Sequence, residues 1–309
     1  MAETDAPPPA HADNPMLGIL LRLLAMVVIG IMFALVKLAA EEGVSVIESL
    51  FWRQLTALPV ILVWLISTGR LHDIRTSRPI GHAIRMVVGL FAMGLNYWAM
   101  TLLPLAEATS IGFAVPIIGT ILAALLLKED VGLYRWAAVL IGFAGVMIVI
   151  QPGGNAVDPM GAIIAFTGAA FGSLTTIHLR FLSRSERPAT IVFWFSLSSL
   201  IPLGIALPYF SSAHSTEAWA YIVGLGVCGA AGQLLLTSAL RFGPVSVVLP
   251  MDYSALIWAV LLGYFLFSQV PHPETWIGAP VIIAAGLFIA WREHRKGKAD
   301  RTPARSADD

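Results

Sequence analysis

The chain has 309 residues, 57% of them apolar and only 12% Asp, Glu, Lys or Arg, with a formal net charge of zero and a mean hydropathy of +0.80. A soluble domain carries roughly 25% charged residues, so this balance excludes a water-soluble globular fold and predicts an all-α, multi-span membrane protein. No net basic charge points to a nucleic-acid partner, and the single cysteine, Cys228, excludes an intrachain disulfide or a Cys-based metal site.

Residues 1–15 are polar and Pro-rich and are expected to be a disordered cytoplasmic N-terminus. They carry no Lys or Arg, and no small-residue cleavage site follows a short apolar core, so the first apolar run is expected to remain as a membrane helix. A membrane helix needs about 20 mostly apolar residues. Ten such spans are predicted: 16–40, 46–67, 82–102, 105–127, 133–150, 160–180, 189–208, 217–238, 245–267 and 275–291. The breaks carry Gly69, Pro79, Pro104, the Pro152-Gly153-Gly154 turn, Pro188, Pro244, Pro271 and Pro273. Most spans are apolar around their whole circumference, as lipid-facing helices are.

Lys and Arg in short loops set orientation. Arg70, Arg75, Arg78 and Arg85 flank the second connection, Lys128 and Arg135 the fourth, Arg180, Arg184 and Arg187 the sixth, and Arg241 the eighth. Arg292, Arg295, Lys296, Lys298, Arg301 and Arg305 lie in the tail, so sixteen of the nineteen basic residues share one side. The alternation predicts both termini in the cytoplasm.

The two halves match at an offset of about 140 residues: Phe51-Trp52-x-x-Leu55 recurs as Phe193-Trp194-x-x-Leu197, Ala99 and Pro104 as Ala239 and Pro244, and Trp136 as Trp276. This predicts one repeat at 16–150, an extracytoplasmic linker at 151–156, a second repeat at 157–291, and a basic cytoplasmic tail at 292–309. Five spans per repeat is an odd number, so the second copy enters the membrane inverted. Such repeats recur in transporters, with the substrate site near the midplane between them.

Four segments are characteristic: FWRQL at 51–55, LPLAEATSIGFAVPIIGTILAALLLKED at 103–130, RWAAVLIGFAGVMIV at 135–149 and VLPMDYSALIWAVLLGYFLF at 248–267. With them the chain resembles the EamA branch of the drug/metabolite transporter superfamily, across roughly residues 16–291. The resemblance implies two inverted five-helix EamA repeats in a bacterial inner-membrane carrier. Its subgroup includes carriers of riboflavin, S-adenosylmethionine and metallophore-like metabolites, so the substrate class stays open: vitamin, nucleoside-like or amino-acid-like. The family often closes the fourth span of each repeat with a glutamate. Here the first copy has Glu129 and the second Gln269.

An ionisable group at the bilayer centre costs about 2.5–3.5 kcal/mol on insertion scales, so each one needs a partner, water or a function. Asp252, beside Tyr253, lies about eight residues from Pro244, roughly 12 Å into a core about 30 Å thick. It is a candidate for binding a cationic group or taking up a proton, or else a structural anchor. Pro250 and Pro116 are expected to kink the fourth span of each repeat. Arg53 is expected either to pair with Asp252, or with Glu48 one turn away, or to hold an anionic substrate group. Lys37, Glu48 and Glu107 form a candidate outer gate, with helix capping as the plainer role for Glu107. Arg22 and Arg85 are expected to snorkel to headgroups. Asn96, Tyr97 and Trp98 in the third span and Gln233 in the eighth would suit a planar hydrogen-bonding solute, or serve interhelical packing. His178 reads as an interfacial histidine. Gly168-x-x-x-Gly172 and the series Gly224, Gly226, Gly229 and Gly232 predict close helix approach.

The pattern supports a secondary carrier moving a small molecule, with protons as a coupling candidate, the bilayer as partner, and a homodimer permitted but not required. An embedded enzyme would need a zinc or paired-aspartate motif, neither of which occurs; Ser173 with His178 lacks a third member. A passive channel would show rings of polar residues. No motif calls for a metal, a cofactor or ATP.

Overall fold

The computed structural model of the chain describes residues 14–126, 128, 131–151, 157–183, 185–242 and 245–299. The expectations placed on residues 1–13, Glu129, the 152–154 turn, Arg184, Pro244 and the end of the tail lie outside the described residues.

The chain folds as α1 (Pro15–Glu41), α2 (Val46–Ser67), a 3-10 turn (Leu71–Ile74), α3 (Pro79–Leu102), α4 (Leu105–Gly112), α5 (Val115–Leu126), α6 (Leu133–Ile150), α7 (Pro159–Leu182), α8 (Pro188–Phe210), α9 (Thr216–Phe242), α10 (Val245–Val248), a 3-10 segment (Leu249–Ser254), α11 (Ala255–Phe267) and α12 (Pro273–Ala299). Among the described residues, ten stretches are long and apolar enough to cross a membrane, α4 with α5 and the 3-10 segment with α11 each forming one. Several helices start earlier than the apolar runs suggest. Pro79, Pro159, Pro188 and Pro273 open helices instead of ending the preceding loops, because the first turn does not need the N–H that proline lacks. Asn14, Ser45 and Asp158 cap α1, α2 and α7 by accepting the N–H of Leu17, Glu48 and Gly161. Gly43 and Gly69, just beyond α1 and α2, adopt positive φ, which lets the chain turn sharply there.

The packing follows the internal repeat. Helix α1 lies against α9 as its counterpart α7 lies against α3, and α1 meets α11 as α7 meets α5. The pairs α2 with α8 and α6 with α12 join each helix to its own counterpart. An approximate two-fold axis therefore relates two inverted five-span halves. Glycines set the closest approaches. A Cβ at Gly278 would lie 2.6 Å from the Gly145 carbonyl, and one at Gly145 would lie 3.0 Å from the Gly278 carbonyl, so α6 and α12 cross almost backbone to backbone. Gly168 meets the Asn96 backbone of α3, while Gly224, Gly229 and Gly232 face Leu35, Met32 and Ile29 of α1. Helix α1 starts at one face of the bundle, the near face, and runs toward the opposite one, the far face.

Candidate functional site

The two broken spans meet each other. The first break lies at Phe113 and Ala114, with Pro116 as the second residue of α5; the second is the Leu249–Ser254 segment, with Pro250 as its second residue. Proline supplies no N–H to either ladder. Ser173 of α7 donates to the Val115 carbonyl at 2.7 Å beside the first break. Tyr253, in the second break, packs edge-on against Phe113, in the first, with ring centroids 4.9 Å apart. Gly286 of α12 leaves the room that the Tyr253 hydroxyl occupies.

Asp252 is paired, but not as the sequence suggested. Arg22 of α1 grips it with a two-pronged fork, Nε to Oδ1 and Nη2 to Oδ2. The Arg22 side chain is 9% exposed and that of Asp252 is 37%. Two expectations are corrected here: Arg22 does not snorkel outward, and Arg53 is not the partner of Asp252. The error was one of depth. Arg53 lies about 10 Å in from the far face along α2, whereas Asp252 is held by Arg22, about 10 Å in from the near face along α1. Arg22 is seven residues into α1 from the near face, and α1, not α2, packs on the Leu249–Ser254 segment.

Arg53 sits instead among α2, α3 and α9. Its Nη1 donates to Gln54 Oε1 at 2.9 Å, and its guanidinium lies beside the buried Tyr97 phenol, whose hydroxyl also meets Met32 Sδ at 3.4 Å. Glu48 is not its partner. Arg85, also expected at the headgroups, turns inward: its guanidinium lies 4.2 Å from the centre of the Phe195 ring. Among the described residues no carboxylate pairs with Arg53 or Arg85, and Arg53 Nε, Arg85 Nε and Nη1, and Gln54 Nε2 are buried without a partner. The Asn96-Tyr97-Trp98 group does not act as one surface, because successive helix residues point about 100° apart: Tyr97 is buried while Trp98 is 48% exposed. Gln233 is half-buried on α9, where its carbonyl accepts from Thr237.

The three gate candidates separate. Lys37 is buried and donates to the Met100 and Leu103 carbonyls at 3.1 and 2.7 Å, closing the C-terminal end of α3. Glu107 accepts from the His272 N–H and Thr275 Oγ1, both at 3.0 Å, and so holds the start of α12 rather than capping its own helix. Gln269 returns the tie by accepting the Leu105 N–H at 3.3 Å. Glu48 belongs to a different cluster: Ser211 Oγ donates to its Oε1, and His214 Nε2 lies 2.8 Å from the same oxygen.

The Glu48 cluster has a counterpart on the near face that the sequence reading missed. Glu186, just before α8, accepts from Thr76 Oγ1 at 2.8 Å and from the Ser77 N–H and Oγ at 3.0 and 3.2 Å, with His82 Nε2 at 3.9 Å. Burial pushes the Glu186 carboxyl up, but these hydrogen bonds and His82 outweigh it and hold it below the usual carboxylate range. Glu48 in the first half ties α2 to the α8–α9 connection; Glu186 in the second ties the start of α8 to the α2–α3 connection. Glu48 and Glu186 both stand near the start of the second helix of their half, but they are 138 residues apart rather than the 142 that relates Phe51 to Phe193, so the repeat register alone does not pair them.

The EamA-like transporter family model matches residues 16–151 and 159–291. The chain is 28% identical to a riboflavin transporter of Vibrio cholerae, covering 94% of this chain and 98% of that one. It is 31% identical to a riboflavin transporter of Rhizobium johnstonii (90% and 93%) and 26% identical to an S-adenosylmethionine uptake transporter of Rickettsia prowazekii (80% and 84%). A solved crystal structure superposes with a TM-score of 0.60 at 20% identity, covering 91% of this chain and 98% of the other, which supports the fold alone.

Proposed function

Because the chain belongs to the EamA-like transporter family, we propose that it is a secondary carrier that moves a small organic metabolite across a bacterial inner membrane by alternating access, with both termini in the cytoplasm. The observation that carries this reading is the pair of matched carboxylate latches, Glu48 with Ser211 and His214 on the far face and Glu186 with Thr76 and Ser77 on the near face. Each crosses from one half to the other. Opening one while the other holds would rock the halves about the contact of Phe113 with Tyr253 and expose the interior to one side at a time. Asp252 and Arg22 sit beside the second break, where a change in their pairing would be felt by that hinge; proton coupling through Asp252 is part of the proposal. The candidate contacts for solute are Arg53, Tyr97, Asn96, Gln233 and Tyr253, with Lys37 and Glu107 fastening the far-face ends of α3 and α12.

The relatives suggest two solutes to try, riboflavin and S-adenosylmethionine. In proteoliposomes, a carrier exchanges labelled external solute for unlabelled internal solute, whereas a pore only equilibrates. Counterflow of at least one of these solutes is expected. An imposed pH gradient should alter net uptake in the native chain but not in Asp252→Asn. Leakage without counterflow would replace the carrier with a channel. A gradient response that persists in a folded Asp252→Asn chain would remove this residue from coupling.

A further inference from the structure

We infer that Arg53 and Arg85 together form the subsite for an oxyanion, a carboxylate or phosphate group on the transported solute; this rests on the carrier reading above. The other basic residues inside the spans are matched by the fold: Arg22 by Asp252, and Lys37 by the two carbonyls that end α3. Arg53 and Arg85 are matched only in part, Arg53 Nη1 by Gln54 Oε1 and the Arg85 guanidinium by the Phe195 ring face. Among the described residues they face no carboxylate, and three of their nitrogens are buried without a partner, as are Gln54 Nε2 and Ser199 Oγ. Native interiors rarely leave so many polar atoms unmatched, and a cluster of such exceptions calls for a missing group.

The unmatched atoms lie on three helices, α2, α3 and α8, that pack against one another. Arg53 and Gln54 come from α2, Arg85 from α3, and Phe195 and Ser199 from one face of α8, four residues apart. These five atoms of Arg53, Gln54, Arg85 and Ser199 are donors or hydroxyls, so an acceptor-rich group would satisfy them together. Two like charges on neighbouring packed helices repel, and an anion near both would offset that repulsion; planar guanidinium suits the paired oxygens of carboxylate or phosphate.

Two glycines make the room. A Cβ at Gly89 would fall on Arg85 Nη1 and lie 2.9 Å from Phe195 Cε2, and one at Gly229 would lie 3.1 Å from Arg53 Nε. Phe195 then holds the Arg85 guanidinium by its ring face. Both arginines are thus placed by a helix glycine that any side chain would disturb.

The test uses the full chain in nanodiscs of phosphatidylcholine alone, with ionic strength fixed by chloride. The melting temperature is followed against inorganic phosphate, succinate, and the matched pair riboflavin and riboflavin 5′-phosphate. A saturable rise with at least one oxyanion, absent with riboflavin, is expected. Arg53→Gln and Arg85→Gln should each weaken that binding by about 30-fold or more, the size of removing one partner from a buried charge pair. Gly89→Ala keeps both arginines and should weaken it too. The wild-type titration stands even if a variant does not fold: no saturable rise with any oxyanion overturns the assignment. An equal rise in folded Arg53→Gln and Arg85→Gln chains also overturns it. Loss of the response in nanodiscs that contain phosphatidylglycerol would mean that the arginines hold a lipid headgroup, and would overturn the solute assignment. The carrier reading fails separately. Oxyanion binding without counterflow of any bound probe removes the carrier and leaves an anion site, whereas counterflow of riboflavin that survives Arg53→Gln keeps the carrier and removes the site.

Discussion

Removing Asp252 from the fork strands the 9%-exposed Arg22 in an apolar surrounding, whereas removing Arg22 leaves a carboxylate that is 37% exposed. Breaking a buried pair in this way destabilises by about 3–5 kcal/mol, whereas replacing both members with apolar residues is often neutral. The half-open Asp252 places the larger loss on its removal, since that strands the better-buried Arg22. Asp252→Leu is therefore expected to lower the melting temperature more than Arg22→Leu does, and the double variant to recover most of the loss; additive effects of the two single changes would show that the fork contributes little. Glu186 gives a pH signature. Its folded carboxyl is held below its usual range, so the latch's contribution is fully present above the unfolded value of about 4.3 and disappears as pH falls through the lower folded value. The melting temperature of the native chain should fall more steeply than that of Glu186→Gln between pH 5 and pH 3, and parallel curves would deny the latch its charge. Each acid in the spans could be flagged from sequence because burying charge is expensive. Its partner could not, since Arg22 and Asp252 stand 230 residues apart and depth counted from the wrong face selected Arg53.

At the level of helices, apolar runs of membrane length and breaks at Gly and Pro made all ten spans legible. The exact starts were not, because a proline that ends a loop also opens a helix well. The prolines at 116 and 250 marked where the fourth spans divide, but not that the breaks would meet through Phe113 and Tyr253; that contact needs both halves in place. Close crossings were partly legible. Gly168-x-x-x-Gly172 announced one, yet Gly145 and Gly278, which make the tightest crossing, carry no motif of their own and become evident only when α6 and α12 are superposed on the repeat axis. A Cβ at Gly278 would press on the Gly145 carbonyl and on Val149 Cγ2, each at 2.6 Å, and backbone cannot yield as a side-chain tip can. Overpacking of this kind costs about 1–3 kcal/mol. Gly278→Ala should lower the melting temperature accordingly, whereas Gly112→Ala, where an added Cβ meets nothing within 4 Å, should be nearly silent. Equal losses at both positions would refute the crossing as the cause.

For the molecule as a whole, the inverted repeat converts a local feature into one on each membrane face, and its direction across the bilayer can be tested. The α2–α3 connection carries Arg70, Arg75 and Arg78, while the α8–α9 connection, residues 211–215, contains no Lys or Arg; short basic loops stay in the cytoplasm. His72 and Ser212 are exposed positions in these two connections. With Cys228→Ala removing the chain's own thiol, a cysteine at either place reports one side. An impermeant maleimide added to intact spheroplasts should label Ser212→Cys at once and His72→Cys only after the membrane is opened. The reverse pattern would invert the topology, and labelling of both from outside would contradict the inverted repeat. The same reagent can then be used to follow the latches. In the Cys228→Ala background, Thr56→Cys, half-buried beside Gly226 between α2 and α9, should gain reactivity from outside when Glu48→Gln loosens the far face. It should gain reactivity from inside when Glu186→Gln loosens the near face. Opposite responses to two chemically identical changes, placed on opposite faces by the repeat, are what alternating access requires. A static bundle would show the same response to both, or none.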